Sequence, residues 1–351
     1  MATIKEIAKE SGVSIATVSN IINGKPGAGE ETRKRVLETI ERMDYRPNVI
    51  AKSLKQKNNR IIGVITEDLT VFNTPGIVDG INEYCDEHSY EFVLGNLRLY
   101  KKYDEKFYKS NKYYRRVLDE FKMMESKQVE GIIYVGCHSR NLECIPSNVS
   151  IPIVIAYGFD KNKEFSSVIF NDEQGAYEAT CKLIEAGHKN IGVIAGVQES
   201  IHTQQRLLGY QRALYDNKIL FNPQFIQSGD WSRKSGYEAS KIFFEKNITA
   251  IFAMNDVMAG GVYDFFYEKE YKVGRDIAIV GFDNQEVSKA YSPALSTVEL
   301  PLFEIGQQSA RLLIDIITQP DKNFETKINK IDCKFIERKS IYKNICCCQT
   351  N

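Results

Sequence analysis

Two groups of side chains in this chain of 351 residues have the types and spacing for recognition chemistry. The first lies in V-S-I-A-T-V-S-N-I-I-N, from Val13 to Asn23, where hydroxyls of Ser14, Thr17 and Ser19 and the amide of Asn20 alternate with apolar residues. An asparagine amide matches the donor–acceptor edge of adenine in a DNA major groove. The second group is dispersed. Arg206 follows His202, Thr203, Gln204 and Gln205 at the start of a helical segment; Asn255 and Asp256 follow one apolar run, Asp283 follows another, and Trp231 is the single tryptophan. Carboxylate, amide and guanidinium groups bridge adjacent hydroxyls, and an aromatic plate covers a C–H face, which is how a sugar is held. Ligands of open α/β sheets collect at the C-terminal ends of strands, where Asn255 and Asp283 are expected.

Elements must position both groups. Thr3 with Glu6 three residues on forms a capping box that opens a first helix, with Ile4, Ile7 and Ala8 on one face, and Gly12 ends it. Ser14 caps a second helix that turns Val18, Ile21 and Ile22 inward and Ala16 and Thr17 outward. Two short helices around a glycine turn make a helix-turn-helix, which needs a third helix to close its core. Glu30 to Met43 supplies it through Val36, Leu37 and Ile40. Pro47 then breaks the helix, and Asn48 to Lys55 reads as a short helix that cannot hold its shape alone. Leu54 on that basic segment is suited to wedging between base steps from the minor groove, or else to packing on the three helices. From Ile61 short apolar strands alternate with helices: Ile61 to Ile65, Glu91 to Gly95, Gly131 to Val135, Ile153 to Ala156, Ile191 to Ala195, Ala250 to Ala253 and Ile277 to Gly281. That rhythm predicts parallel α/β layers.

Charge separates a DNA-binding reading from a plain helical subdomain. Residues 1–60 carry twelve Lys/Arg against seven Asp/Glu in a chain whose net charge is zero, as neutralisation of phosphates by one arm requires. The chain is long enough for two or three domains, and a hydrophobic content of 43% excludes bulk disorder. No apolar run has the length of a membrane span, and the N-terminus reads as a capped polar helix rather than a signal peptide, so a cytoplasmic protein is expected. The eight cysteines show no paired zinc spacing. Reduced thiols, no metal and no cofactor are expected, with the Cys346 to Cys348 run incidental.

Further along, T-I-K-E-I-A-K-E-S-G-V-S-I-A-T-V-S-N-I-I-N-G, E-E-T-R-K-R-V, Y-R-P-N and A-K-S-L stand in order. So do Gly187-His188-Lys189-Asn190-Ile191, Arg206-Leu207-Leu208-Gly209-Tyr210, Asn255-Asp256 and Val280-Gly281-Phe282-Asp283. On these patches the chain resembles the lactose/galactose repressor family over nearly its whole length. The resemblance implies an N-terminal all-α helix-turn-helix domain (1–46), a hinge helix and linker (47–60), and an α/β two-lobed, periplasmic-binding-protein-like effector and dimerisation domain (61–340), with a tail at 341–351. Lobe one is expected at 61–160 and 294–318, lobe two at 161–293 and 319–340, joined by three crossovers. It implies a homodimer on a near-palindromic double-stranded DNA operator, contacted by Thr3, Ser14, Ile15, Ala16, Thr17, Ser19, Asn20, Asn23, Tyr45, Asn48, Ala51 and Leu54. It also implies a small sugar-like effector between the lobes, lined by Arg206, Trp231, Asn255 and Asp283 and, from lobe one, by Phe72, Asn73, Thr74 and Tyr157.

The chain departs from the family in places. Asn20 stands where the family often carries Arg, so the operator base is expected to differ, and Tyr157 stands where many members have Asp, offering a face to stack on a second sugar ring in place of that hydroxyl contact. The connection around 100–114 is longer than usual and dense in Tyr and Lys. Basic residues interleaved with aromatics suit single-stranded nucleic acid, but a solvated surface insertion is the plainer expectation. No leucine heptad follows Ser340, which points to a dimer rather than a tetramer. The leading function is a sequence-specific transcriptional repressor of carbohydrate genes, switched by its effector. The alternatives are a sugar-cleft enzyme, a glycoside or nucleoside hydrolase using Asp256, Asp283 and Arg206, which is disfavoured because an enzyme needs no recognition helix, and an effector-independent architectural DNA binder.

Overall fold

The computed structural model describes residues 2–22, 24–45, 59–104, 106–322 and 324–343. The chain divides into two compact units at Asn59/Arg60. In the first unit, α1 (Ile4–Glu10) begins at Thr3, whose side chain and that of Glu6 cap each other reciprocally. Gly12 turns the chain with φ of +66°, and Ser14 opens α2 (Ile15–Ile22) by accepting the Thr17 N–H at 3.0 Å. The third helix, α3 (Glu30–Arg42), closes the core: Ile7, Ala8, Val18, Ile21 and Val36 are buried together, with Ile40 packed against them. Leu37 is not part of that face. It is exposed, and Thr39, buried and bonded to the Arg35 carbonyl, points inward with Val36.

The second unit carries two parallel sheets. The first has the order β11-β5-β4-β3-β1-β2, with β1 (Ile61–Thr66), β2 (Glu91–Asn96), β3 (Ile132–Val135), β4 (Ile153–Ala156), β5 (Ser166–Asn171) and β11 (Ile328–Asp332). The second runs β7-β6-β8-β9, from β6 (Ile191–Ala195), β7 (Ile226–Ser228), β8 (Ala250–Ala253) and β9 (Ala278–Val280). β10 (Thr297–Glu299) and β12 (Lys334–Ile336) form an antiparallel pair between them. Strands such as IIGVIT, IVIA, IGVIA and AIFA are nearly continuous apolar runs because both faces are covered by helices. Those helices include α4 (Asn73–Glu87) and α12 (Leu302–Thr318) on lobe one, with α7 (Asp172–Glu185), α8 (Ile201–Asp216), α9 (Arg233–Phe244) and α10 (Asp256–Glu268) on lobe two. The remaining helices are α5 (Leu99–Tyr103), α6 (Tyr114–Ser126) and α11 (Val287–Ala290).

Three boundaries differ from expectation. The first crossover follows Asn171 and not residue 160, because β5 pairs in parallel with β4 through Val154–Ser166 to Ala156–Val168. Residues 328–332 return to lobe one beside β5, so lobe two resumes only after Asp332 and not at 319. Residues 297–299 pair with β12, and isolated bridges tie Ser296 to Val280 and Glu299 to Asp283, so lobe one resumes after β10 and not at 294.

The Tyr/Lys-rich connection is likewise not a solvated surface loop. Leu99, Phe107 and Tyr113 are buried in lobe one's second apolar cluster, and the lysines between them take the exposed positions. Cys85, Cys137, Cys144, Cys181 and Cys333 are free thiols, and the Cys346–Cys348 run lies outside the described residues. Among the described residues no helix is long and apolar enough to cross a membrane.

Candidate functional site

Arg206 organises a buried cluster of charged and aromatic side chains in lobe two. It projects from the second turn of α8, and α8 approaches α7 so closely that a Cβ on Gly209 would stand 2.1 Å from the Glu173 carbonyl oxygen. That approach brings Arg206 Nε to Asp172 Oδ1 at 2.7 Å, at the start of α7. One Nη donates to the Met254 carbonyl and the other lies 3.5 Å from Asp283 Oδ1. The guanidinium is 3.6 Å from the centroid of Phe282 and 5.8 Å from that of Trp231, so aromatic faces cover what the carboxylates do not. His202, one turn earlier, places Nδ1 2.8 Å from Asp172 Oδ2 and stacks on Phe170.

Two carboxylates beside one arginine are tuned apart. Burial alone would raise Asp172, but His202 and Arg206 overcome it and hold the carboxyl below its usual range. At Asp283 burial prevails over Arg206, and the carboxyl is pushed up to about 6. Asp256 is occupied elsewhere: Oδ1 accepts from the Thr297 hydroxyl at 2.5 Å and Oδ2 from the Gln285 N–H at 2.7 Å, with burial pushing the carboxyl well above the usual range.

Asn255 and Trp231 are joined. Asn255 caps α10 by accepting the Met258 N–H at 2.7 Å and donates to the Trp231 carbonyl at 3.1 Å. Trp231 adopts φ of +71°, and its ring lies against Gly196, where a Cβ would come within 2.0 Å of it.

From lobe one, Asn73 and Thr74 start α4 beyond the C-terminal end of β1 and are fully buried, whereas Phe72 is exposed. Asn73 Oδ1 and Thr74 Oγ1 have no hydrogen-bond partner, and neither do Asp68 Oδ2 on the preceding loop and Thr203 Oγ1 on α8. Tyr157 differs from an aromatic plate open to a ligand. Its ring is 4% exposed and sits 5.5 Å from Phe170 and 5.9 Å from His202, centroid to centroid.

Asp172 and His202, which complete the arginine cluster, had no role assigned from sequence. Asp172 carried a readable signal, since Asn171-Asp172-Glu173 is a helix start after an apolar run: Asn171 accepts the Gln174 N–H. The strand before it opens on two serines, and that masked the pattern. His188 is a staple, bridging Thr249 Oγ1 and the Tyr342 carbonyl at 3.0 Å each.

On the helical unit, Ser14, Ile15, Ala16 and Asn20 are exposed along α2, while Thr17 and Ser19 are half-buried. Thr17 Oγ1 also bonds Ser14 Oγ at 2.8 Å. Thr3 Oγ1 is held by Glu6, and Tyr45 packs partly against the three-helix core. Asn23, Asn48, Ala51, Leu54 and the expected hinge helix lie outside the described residues.

Known proteins share both units. Residues 3–48 match the model of bacterial regulatory proteins of the lacI family, and residues 181–341 match a periplasmic binding protein-like domain. The chain is 34% identical over 319 residues to catabolite control protein A of Priestia megaterium, covering 89% of this chain and 91% of that one. It is 32% identical to the HTH-type transcriptional repressor PurR of Aliivibrio fischeri, over 98% of this chain and 100% of that one.

Among solved structures, the lac repressor dimer bound to operator and the anti-inducer ONPF superposes with a TM-score of 0.79 at 25% identity, covering 97% of this chain and 99% of that one. A complex of the transcriptional regulator CelR with cellobiose gives 0.65 at 25% identity, covering 97% and 100%. With a capped helix-turn-helix in one unit and two parallel α/β sheets in the other, matched along the length of known repressors, this chain belongs to the lacI family of bacterial regulatory proteins, as a DNA-binding transcriptional repressor with an effector domain.

Proposed function

We propose that this repressor controls carbohydrate genes, binding its operator as a homodimer in the cytoplasm, and that its effector is a small uncharged sugar held between the lobes. The observation that carries the effector class is the set of buried, unpartnered polar atoms: Asp68 Oδ2, Asn73 Oδ1 and Thr74 Oγ1 beyond β1, and Thr203 Oγ1 on α8. A buried acceptor without a partner costs about 1–3 kcal/mol, and a polyol supplies several donors at once. Arg206 is already held by Asp172 and Asp283, which suits hydroxyls better than a phosphate. The similar regulator solved with cellobiose supports the same class. Phe72, Asn73, Thr74, Tyr157, Arg206, Trp231, Asn255 and Asp283 remain the proposed lining, with Tyr157 acting from beneath the surface. The exposed face of α2 is the proposed base reader.

The cleft is a sensor and not a catalyst in this reading. Of the carboxylates that could act as a pair, Asp256 is engaged at both oxygens within lobe two. The test is a titration of the purified protein with neutral mono- and disaccharides, sugar phosphates and purines, read by fluorescence of Trp231. Saturation by one neutral sugar is expected. Saturation only by a phosphorylated sugar or a purine would overturn the effector class.

A further inference from the structure

His202 stands between the lobes and bonds to both. On the lobe-two side its Nδ1 is 2.8 Å from Asp172 Oδ2. From lobe one, the backbone N–H of Ser139, on the connection between β3 and β4, points at its Nε2 from 3.4 Å. The tautomer follows from the partners. Asp172 is a carboxylate held in its ionised form, so Nδ1 carries the proton and Nε2 keeps the lone pair that Ser139 requires. The ring is otherwise enclosed by Phe170, stacked at 5.3 Å, and Tyr157.

On the other side of Ser139, His138 is gripped by the Tyr100 hydroxyl and flanked by the ring of Tyr108 at 5.5 Å, both from the long connection after β2. Next to it, Arg140 forms a bidentate pair with the fully buried Glu67, at 2.9 and 2.5 Å, beneath the ring of Phe107. The backbone that offers the Ser139 N–H is therefore fixed on both sides. The bond itself, at 3.4 Å, is at the long end for a hydrogen bond, so it can break without disturbing either lobe.

We propose that His202 is a positioning residue that latches the two lobes: Nε2 accepts from Ser139 N–H only when the lobes are closed, while Nδ1–H holds Asp172 against Arg206. Closure and the shape of the effector site are thereby coupled through one imidazole. The charged and titratable groups around His202 are Asp172, Arg206 and Asp283 from lobe two, and His138 and Tyr157 from lobe one. Of these, Asp283 changes charge in mildly acid solution, so binding is compared at one pH.

The proposal rests on the effector reading above, and its test has one arm that does not. In the unliganded, full-length protein, 15N-histidine spectra resolve four imidazoles, and His202 is the signal lost in His202→Gln. An Nδ1–H tautomer near pH 8 is expected, and an Nε2–H tautomer would overturn the latch even if no effector is ever found. The second arm measures affinity at pH 8 for the sugar that moves Trp231 fluorescence, in wild type, His202→Gln and His202→Phe.

His202→Gln, whose Oε1 can accept from the Ser139 N–H, should bind like wild type. His202→Phe, which keeps the stacking but neither bond, should bind about tenfold more weakly at pH 8. Binding by His202→Phe equal to wild type, or binding by His202→Gln as weak as by His202→Phe, would overturn the latch. Failure of every sugar to bind wild type would overturn the effector reading instead.

Discussion

At the scale of single residues, the account rests on carboxylates that differ because their surroundings differ. Asp283 is pushed up to about 6 by burial, so the folded protein retains its proton where the unfolded chain, near 3.8, has already released it. The stability this group contributes is present at low pH and is lost as pH rises from about 4 to about 6. Asp172, held below 3.8 by His202 and Arg206 against the effect of burial, contributes oppositely and loses its share only at lower pH. Asp283→Asn cannot ionise. Its thermal stability relative to wild type is expected to rise across pH 4–6 and level off above, and a difference that stays constant would show Asp283 ionised throughout. On the other unit, Asn20 is exposed on α2. Replacing it with Arg should move the preferred base at its contact from adenine toward guanine, a discrimination of about 1–3 kcal/mol, as read by selection from a random DNA pool. Asn255 and Asp283 stood out in the sequence because each follows an apolar run, and Arg206 because it follows a polar stretch near the start of a helix; the structure brings Arg206 and Asp283 within 3.5 Å. Tyr157 was misread as an open stacking surface, because sequence shows the residue type but not the rings of Phe170 and His202 that enclose it.

At the scale of elements, the distance between α7 and α8 decides whether Asp172 can reach Arg206. Gly209 sits where the helices touch, with backbone and not a flexible side chain in the path of any Cβ. Gly209→Ala should therefore push α8 outward, destabilise the effector unit by about 1–3 kcal/mol and weaken effector binding more than operator binding. A variant as stable and responsive as wild type would count against this packing. The Tyr/Lys-rich connection gives a second case. Phe107 is 2% exposed beside Arg140, so Phe107→Ala should cost about 3–5 kcal/mol in thermal or denaturant unfolding. Alanine at Lys101 or Lys109, both exposed, should stay within about 0.5 kcal/mol of wild type. Equal effects would restore the solvated-loop reading. The connection was misjudged because its apolar residues follow neither a strand nor a helix period: Leu99, Phe107 and Tyr113 are brought together by a helical turn, a 3-10 turn and the start of α6. The same limit hid β11, an edge strand whose sequence INKID alternates between exposed and half-buried residues and lacks an apolar run. Uniformly apolar strands such as β4 and β8 were readable end to end because both faces are covered.

At the scale of the whole molecule, a chain of zero net charge keeps its positive excess in the first 60 residues, so operator binding should weaken steeply with salt while effector binding does not. The two-unit, two-lobe plan was legible because motifs recur in order along the chain. The lobe boundaries were not, because a crossover leaves no local mark: β5 and β11 belong to lobe one only through their pairing with β4 and with each other. Effector switching is a coupling between two binding events and must be reciprocal. The most direct measurement is therefore a thermodynamic square, with affinity for a selected operator duplex by fluorescence anisotropy at zero and saturating sugar, and affinity for the sugar by Trp231 fluorescence with and without operator. The account predicts that sugar changes operator affinity, by about 5–150-fold, and that operator changes sugar affinity by the same factor. Sequence-specific DNA binding that is indifferent to a sugar saturating the Trp231 signal would contradict it.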